Sequence, residues 1–159
     1  MIEWLRDLTE ATHPLWQWAV IFVAGAVPFI ESYFGATLGV VAGMSPPVAI
    51  GAAILGNVVS MLLLVSLAGR VRGATDADRE ALSPRKQKFK IAFDRYGVAG
   101  VSLLGQTMLP SQITSMAMVA FGASKKAVIL WQTVSITVWG TAFGVVAALG
   151  VRAFLPLAA

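Results

Sequence analysis

One carboxylate, Glu31, lies deep within apolar sequence, and no other acidic residue occurs between Glu10 and Asp76. Holding a charge at the centre of a bilayer costs about 2.5–3.5 kcal/mol on insertion scales. Burial favours the protonated form of a carboxyl group, so a glutamate in such surroundings is suited to gain and lose a proton. The sequence therefore predicts Glu31 as a proton-binding site. The alternative is structural: a glutamate that stays protonated and donates a hydrogen bond between helices.

A second group of polar residues surrounds Pro110, which interrupts an apolar segment. Its members carry amides or hydroxyls: Gln106, Thr107, Gln112, Thr114 and Ser115. Irregular backbone at membrane depth must face protein or water, because unsatisfied polar groups are costly in lipid. We predict that these residues and Pro110 line a path for a substrate or ion; alternatively, they only satisfy a chain reversal. Asn57 either bonds across helices, which is the simpler interpretation, or faces the same cavity.

Other reactive groups are scarce. The chain has no cysteine and a single histidine, His13, which we expect at the membrane interface. Thiolate chemistry and sulfur–metal sites are therefore excluded, and we expect no enzyme activity, cofactor or metal. Eight of the twelve basic residues fall between Arg70 and Arg95. This clustering is typical of a cytoplasmic loop rather than of a nucleic-acid-binding surface.

The composition is that of a membrane protein. Hydrophobic residues make up 57% of the 159 residues and charged residues 13%, against about 25% charged in soluble domains. The stretches without charge are 32–69, 96–124 and 127–151. Runs of this length are typical of helices that cross a bilayer. We expect an all-α membrane protein that forms one domain over residues 1–159.

The apolar segments divide the chain into two similar halves. Proline, glycine and charge interrupt the first segment at Pro28, Glu31 and Gly35-Ala36, and the second at Pro110. An uninterrupted apolar run follows each, over 48–68 and 128–150. The predicted segments are an interfacial helix (1–13), a hairpin plus transmembrane helix (14–69), a cytoplasmic loop (70–97) and a second hairpin plus transmembrane helix (98–152).

The two halves flank one loop, so their topologies must be inverted. Inverted repeats with broken helices recur among transporters. If the second broken segment is a re-entrant hairpin, Lys125-Lys126 returns to the cytoplasm, where basic residues belong. If all four apolar stretches instead cross the membrane fully, this pair lies outside in a tight turn. Two sets of glycines at four-residue spacing predict close helix packing. They are Gly35, Gly39 and Gly43, and Gly140 and Gly144.

The cytoplasmic loop contains a basic amphipathic helix. Ser83-Pro84 is a start signal and Gly97 a stop signal. Between them, one face carries Phe89, Ala92, Phe93 and Tyr96. We expect residues 85–96 to lie against anionic lipid headgroups. Packing against the protein is the alternative.

Several short motifs resemble the small multidrug export protein family, which is related to the DedA (SNARE-associated, or VTT) superfamily. They are Pro28-Phe29-Ile30-Glu31, Gly35-Ala36, Gly56-Asn57, Arg95-Tyr96-Gly97 and Leu109-Pro110. The similarity covers nearly the whole chain from Pro14 onward, and Glu31 matches the membrane glutamate of DedA proteins. It implies facing re-entrant hairpins and transport, with lipid-carrier translocation and proton coupling known among relatives. Thr107 and Ile113 stand where that superfamily has arginines, and a second acidic residue in the first hairpin is missing, so phosphate recognition is not carried over.

We therefore predict a multi-pass protein of the bacterial inner (plasma) membrane that acts as a DedA-like transporter or lipid flippase, coupled to protons through Glu31. The expected partners are the bilayer and a lipid-linked or amphipathic small molecule. One alternative is an exporter of lipophilic cationic drugs, with Glu31 as counter-ion. Another is a scaffold that supports membrane homeostasis without transport. A homodimer would stabilise so thin a bundle, and the sequence leaves the oligomeric state open.

Overall fold

The computed structural model describes residues 16–71, 84–106 and 109–154, together with Glu3, Asp7 and His13. Regular secondary structure in these residues is entirely helical, which confirms the predicted all-α class. The interfacial helix predicted over 1–13 lies outside the described residues except for Glu3, Asp7 and His13, which are exposed. The first part of the predicted loop, over 72–83, also lies outside them.

Six helices make up the described residues. They are α1 (Gln17–Ala26), α2 (Glu31–Val41), α3 (Pro46–Val71), α4 (Pro84–Gly105), α5 (Ser111–Ala120) and α6 (Lys125–Phe154). Two segments are long and apolar enough to cross a membrane: Pro46–Leu67 within α3, with 22 residues, and the whole of α6, with 30 residues. The short helices α1, α2 and α5 have 10, 11 and 10 residues.

The first break in the apolar sequence is a turn between α1 and α2. It begins after Ala26, where the Val27 N–H bonds to the Ala24 carbonyl, and it ends at Glu31. The further interruption predicted at Gly35-Ala36 is wrong, because α2 runs through this pair without a break. A Cβ on Gly35 would lie 3.1 Å from the Ala53 Cβ. The small residues serve close contact with α3 rather than a chain reversal.

The chain divides into two compact units. Unit 1 comprises Met1–Ser60 and Ile136–Ala159, and unit 2 comprises Met61–Ser135. Helices α3 and α6 each contribute residues to both units.

Small residues bring the helices of unit 1 together, as the glycine spacing predicts. A Cβ on Gly39 would lie 2.7 Å from the Ala49 Cβ, and one on Gly140 would lie 2.9 Å from the Ile54 side chain. One on Gly144 would collide with Ile50. Gly43 does not belong to this set, because nothing lies within 4 Å of its Cβ position and its φ is +86°. Its role is in the turn that ends α2.

Helices α2 and α5 end in the same turn. In each, a glycine with positive φ follows the helix, Gly43 at 86° and Gly122 at 103°. Each turn has the paired hydrogen bonds of a Schellman motif, which satisfy the last carbonyls of a helix. These bonds are Gly43 N–H to Val40 O, Met44 N–H to Gly39 O, Gly122 N–H to Val119 O and Ala123 N–H to Met118 O.

The next helix starts in the same way after both turns. The Ser45 carbonyl accepts from the Ala49 N–H (3.1 Å), and the Ser124 carbonyl accepts from the Val128 N–H (3.0 Å). The same number of residues separates Gly43 from Gly122 and Ser45 from Ser124. The two halves of the chain therefore share a local frame of short helix, Schellman turn and long helix.

In unit 2, α4 bends at Gly97, whose backbone is non-helical (φ 64°, ψ −172°), so the predicted helix stop there is confirmed. The bend separates the basic segment from an apolar one that leads to Pro110. Phe89, before the bend, stacks on Phe121, after α5, with ring centroids 5.8 Å apart. The residue before the bend and the residue after α5 therefore lie side by side.

The predicted apolar face of the basic helix packs partly on the protein. Phe89 and Phe93 are half-buried, whereas Tyr96 is exposed. The stack of Phe89 on Phe121 shows that packing on the protein, the alternative to lipid contact, occurs at least there. Lys88, Lys90 and Arg95 are exposed and remain available to lipid headgroups, with Lys90 also paired to Asp94 at 2.6 Å.

Candidate functional site

Glu31 is completely buried and is the first residue of α2, next to the turn. Its φ is +55°, in the left-handed region, and Phe29 in the same turn has a φ of +73°. Each non-glycine residue in this region costs roughly 1–3 kcal/mol, and such residues cluster at functional sites. The turn thus holds its one acidic side chain in a strained backbone, inside the protein.

A hydrogen bond fixes the residue beside Glu31. The Ser32 hydroxyl is fully buried and donates to the Ile136 carbonyl at 2.9 Å, which ties α2 to α6. A Cβ on Gly140 would lie 3.0 Å from that hydroxyl oxygen, so α6 approaches Ser32 at a position without a side chain. The start of α2, and with it Glu31, is therefore held by tertiary contacts.

Asn57 lies in the same unit as Glu31 and is also fully buried. It follows Gly56, where a Cβ would collide with the Phe22 carbonyl oxygen, because the backbones of α1 and α3 touch at this point. Asn57 is therefore buried next to a point where the backbones of α1 and α3 touch.

The other predicted site residues lie in unit 2. Pro110 is buried and precedes α5 with an extended backbone (φ −54°, ψ 140°), and its carbonyl accepts from the Thr114 N–H at 2.9 Å. Gln112 is fully buried. The Ser115 hydroxyl donates to the Ser111 carbonyl at 2.6 Å, one turn earlier in α5. Thr107 lies outside the described residues, and its role stays a prediction.

Three polar residues of unit 2 are also buried and, like Ser111, were not predicted as site residues: Ser102, Gln132 and Ser135. The Ser135 hydroxyl has one proton and two acceptors within hydrogen-bond distance, the Ser102 carbonyl oxygen at 2.8 Å and Gln106 Oε1 at 2.6 Å. A sequence signal existed, because Ser102 and Gln106 are four residues apart on α4, and Gln132 and Ser135 three apart on α6, so each pair shares a helix face. This pattern was missed because residues 128–150 were interpreted only as a transmembrane run.

Together with Gln106 and Thr114, these residues form what we call the polar cluster: Ser102, Gln106, Thr114, Gln132 and Ser135. All five are buried and uncharged. Gly105, next to Gln106, brings Thr114 of α5 against α4, since a Cβ on Gly105 would lie 3.6 Å from Thr114 Cγ2. The structure thus assembles two polar sites, an acidic one in unit 1 and an uncharged one in unit 2.

Comparison of the chain with models of known families, with characterised proteins and with solved structures found no match. The resemblance to the small multidrug export family therefore stays a prediction, and function has to be inferred from the two sites.

Proposed function

We propose that this chain is a DedA-like, multi-pass protein of the bacterial inner membrane that moves a lipid-linked or amphipathic small molecule, with proton exchange at Glu31. The observation that carries the proposal is Glu31 at the start of α2, whose side chain is fully buried and whose backbone is strained. The described residues also include two helices of membrane-spanning length.

The outward apolar surface supports membrane insertion. Only 39% of the apolar window in α3 and 22% of that in α6 is buried within the protein, whereas the core helix of a soluble protein is mostly buried. Trp16 and Trp18 are exposed at the start of α1. Tryptophan is enriched where a membrane meets water. A bilayer would cover the exposed apolar surface of α3 and α6, and the two tryptophans would anchor the start of α1 where the membrane meets water.

Helix lengths support re-entrant hairpins. Helices α1, α2 and α5 contain 10, 11 and 10 residues. At 1.5 Å per residue each spans about 15 Å, half of the roughly 30 Å hydrocarbon core. The stacking of Phe89 on Phe121 joins the basic segment that precedes the second hairpin to the residue that follows α5. We infer that each hairpin enters and leaves the membrane on one side, with a long helix then crossing it.

Glu31 is suited to proton coupling because its neutral and charged forms differ so much in solvation. A buried carboxylate must be paired, hydrated or protonated, since an isolated buried charge is very costly. A conformational change that admits water to the turn would therefore bind or release a proton. This links protonation to the movement of the hairpin that holds the acid.

The test is transport by purified protein in proteoliposomes with an imposed pH gradient. Glu31→Gln preserves the shape of a protonated glutamate but cannot release a proton, so we expect the variant to fold and to lose pH-dependent transport. Glu3→Gln makes the same change at an exposed carboxyl and should leave transport unchanged. The substrates are a polyprenyl phosphate, an uncharged glycolipid and a lipophilic cationic dye.

The outcomes separate the candidate functions. If Glu31→Gln keeps full pH-dependent transport, proton exchange at this residue is wrong. Movement of the cationic dye alone, lost in Glu31→Gln, would show that Glu31 is a counter-ion in a drug exporter. If the wild type moves none of the substrates and Glu31→Gln only lowers the unfolding temperature, the protein is a scaffold.

A further inference from the structure

The polar cluster leaves several buried atoms without hydrogen-bond partners. Among the described residues, no partner exists for either side-chain atom of the Gln132 amide, for Gln106 Nε2, or for the hydroxyl oxygens of Ser102 and Thr114. Gln132 is only 1% exposed and Gln106 only 3%. The large majority of buried side-chain polar atoms in proteins are hydrogen-bonded, so each exception calls for an explanation.

These atoms come from three helices, and contacts link α4 to each of the other two. With Gln106 Oε1 accepting from the Ser135 hydroxyl at 2.6 Å, Nε2 of that amide is not bonded to Ser135. Gln132 lies one turn before Ser135 on the same face of α6. Thr114 is brought to α4 by the contact between Gly105 and its methyl group. The cluster therefore presents unused donors and acceptors from α4, α5 and α6 together.

The shared frame of the two halves does not require polar residues here. Counted from the Schellman turns, Gln132 and Ser135 occupy the positions that Ala53 and Gly56 occupy in α3. In unit 1 those small residues let helix backbones touch: Gly56 faces the Phe22 carbonyl, and the Ala53 carbonyl faces Gly25. The same arrangement of helices can therefore be closed by direct contact between their backbones. In unit 2 it is lined by an amide and a hydroxyl instead.

The chemistry of the unused atoms limits the ligand. They comprise two amide NH₂ groups, one amide carbonyl and two hydroxyls, so donors and acceptors are both present, and no member of the cluster carries a charge. Burying an ion without an opposite charge is very costly, whereas a neutral group needs only its hydrogen bonds restored. A group that both donates and accepts, such as an alcohol, matches this set.

We propose that the polar cluster binds an uncharged, polyhydroxylated group, that is, a sugar or glycerol moiety. This rests on the proposed transport function, whose substrate it narrows to a molecule with a neutral, hydroxyl-bearing part. The group can belong to a lipid headgroup or to a free polyol, and the test distinguishes the two.

The test measures thermal unfolding of the full chain in phosphatidylcholine nanodiscs, followed by tryptophan fluorescence. Separate discs contain monoglucosyl diacylglycerol, phosphatidic acid or stearylamine, and a further sample has free glucose in the buffer. A ligand at about a hundredfold excess over its Kd raises the unfolding temperature of a chain this size by roughly 5 °C or more. We expect this rise with monoglucosyl diacylglycerol or free glucose, and none with the two charged lipids.

Gln132→Leu removes both atoms of the amide at nearly constant size. Without ligand it should unfold at a higher temperature than the wild type, because two unpartnered polar atoms are replaced by an apolar group. It should also lose the ligand-induced rise. Gln87→Leu, at an exposed position of α4, is the matched control and should keep the rise. If Gln132→Leu does not fold, Thr114→Val removes one hydroxyl and should reduce the rise.

A larger rise with either charged lipid, no rise with any probe, or an undiminished rise in Gln132→Leu would each overturn the proposal. Glu31→Gln distinguishes failure of the sugar-binding site from failure of proton coupling, because that variant should bind the sugar like the wild type. If it binds sugar and still shows full pH-dependent transport, proton coupling fails while the binding site stands. If proton coupling depends on Glu31 but no sugar binds, only the proposed site fails.

Discussion

Replacing Gly56 by alanine tests the closest helix contact in unit 1. A Cβ at this position would collide with the Phe22 carbonyl oxygen and lie 2.8 Å from its carbon and 3.2 Å from the Ala26 nitrogen. All three atoms belong to the backbone of α1, so no side chain can rotate away. Helices α1 and α3 would have to move apart, at the helix end that leads into the Glu31 turn.

The expected magnitude follows from two opposing effects. Forcing an extra methyl into a packed interior costs about 1–3 kcal/mol, and a rigid obstacle puts Gly56→Ala at the upper end. Exchanging glycine for alanine within a helix returns about 1 kcal/mol. The net loss of unfolding free energy is therefore about 2 kcal/mol. Gly51, in the same helix, has nothing within 4 Å of its Cβ position, so Gly51→Ala should gain about 0.5–1 kcal/mol.

Thermal unfolding in detergent micelles measures both variants. Because 1 kcal/mol shifts the unfolding temperature of a chain this size by about 2–4 °C, Gly56→Ala should unfold roughly 5 °C or more below Gly51→Ala. Adding Phe22→Ala should not rescue Gly56→Ala, since the obstacle is the carbonyl and not the ring. Equal unfolding temperatures for the two glycine variants, or rescue by Phe22→Ala, would refute the backbone contact.

Two further substitutions can be measured in the same unfolding assay. Ser32→Ala removes the buried bond to the Ile136 carbonyl and should cost about 0.5–1.5 kcal/mol; an unchanged unfolding temperature would mean that this bond does not hold α2 to α6. Gly97→Ala meets no neighbour within 4 Å, but the backbone at φ 64° and ψ −172° is one that essentially only glycine adopts. We expect a loss of about 1–3 kcal/mol from backbone strain alone, whereas Gly150→Ala, in equally open space within α6, should be neutral or slightly stabilising.

Turns and helix ends could be predicted because their causes are local. Glycine adopts without strain the positive φ that bends α4 at Gly97, and proline cannot continue a helix at Pro110. The break predicted at Gly35-Ala36 is wrong for the opposite reason. Small residues within a helix have two possible uses, flexibility or close packing, and only the position of Ala53 beside Gly35 decides between them.

The sites could be predicted only in part. The absence of other charges around Glu31 was enough to predict its burial, since no other carboxylate occurs in that half of the apolar sequence. Its left-handed backbone depends on how the turn between α1 and α2 is held by neighbouring helices, which spacing does not show. The polar cluster escaped prediction because its members come from α4, α5 and α6. Whether a single glutamine in an apolar helix belongs to a site depends on which residues of the other helices face it.

The shared frame allows the strained backbone of Glu31 to be compared with the backbone at the same position in the second half. Counted back from the Schellman glycines, Glu31 in the first half and Pro110 in the second hold the same position, and buried serines, Ser32 and Ser111, follow both. Pro110 has an ordinary negative φ of −54°, whereas Glu31 has +55°. A helix can therefore begin at this position without strain. The first half instead carries a strained, ionisable residue, and the second carries uncharged polar residues where the first is closed by glycine and alanine.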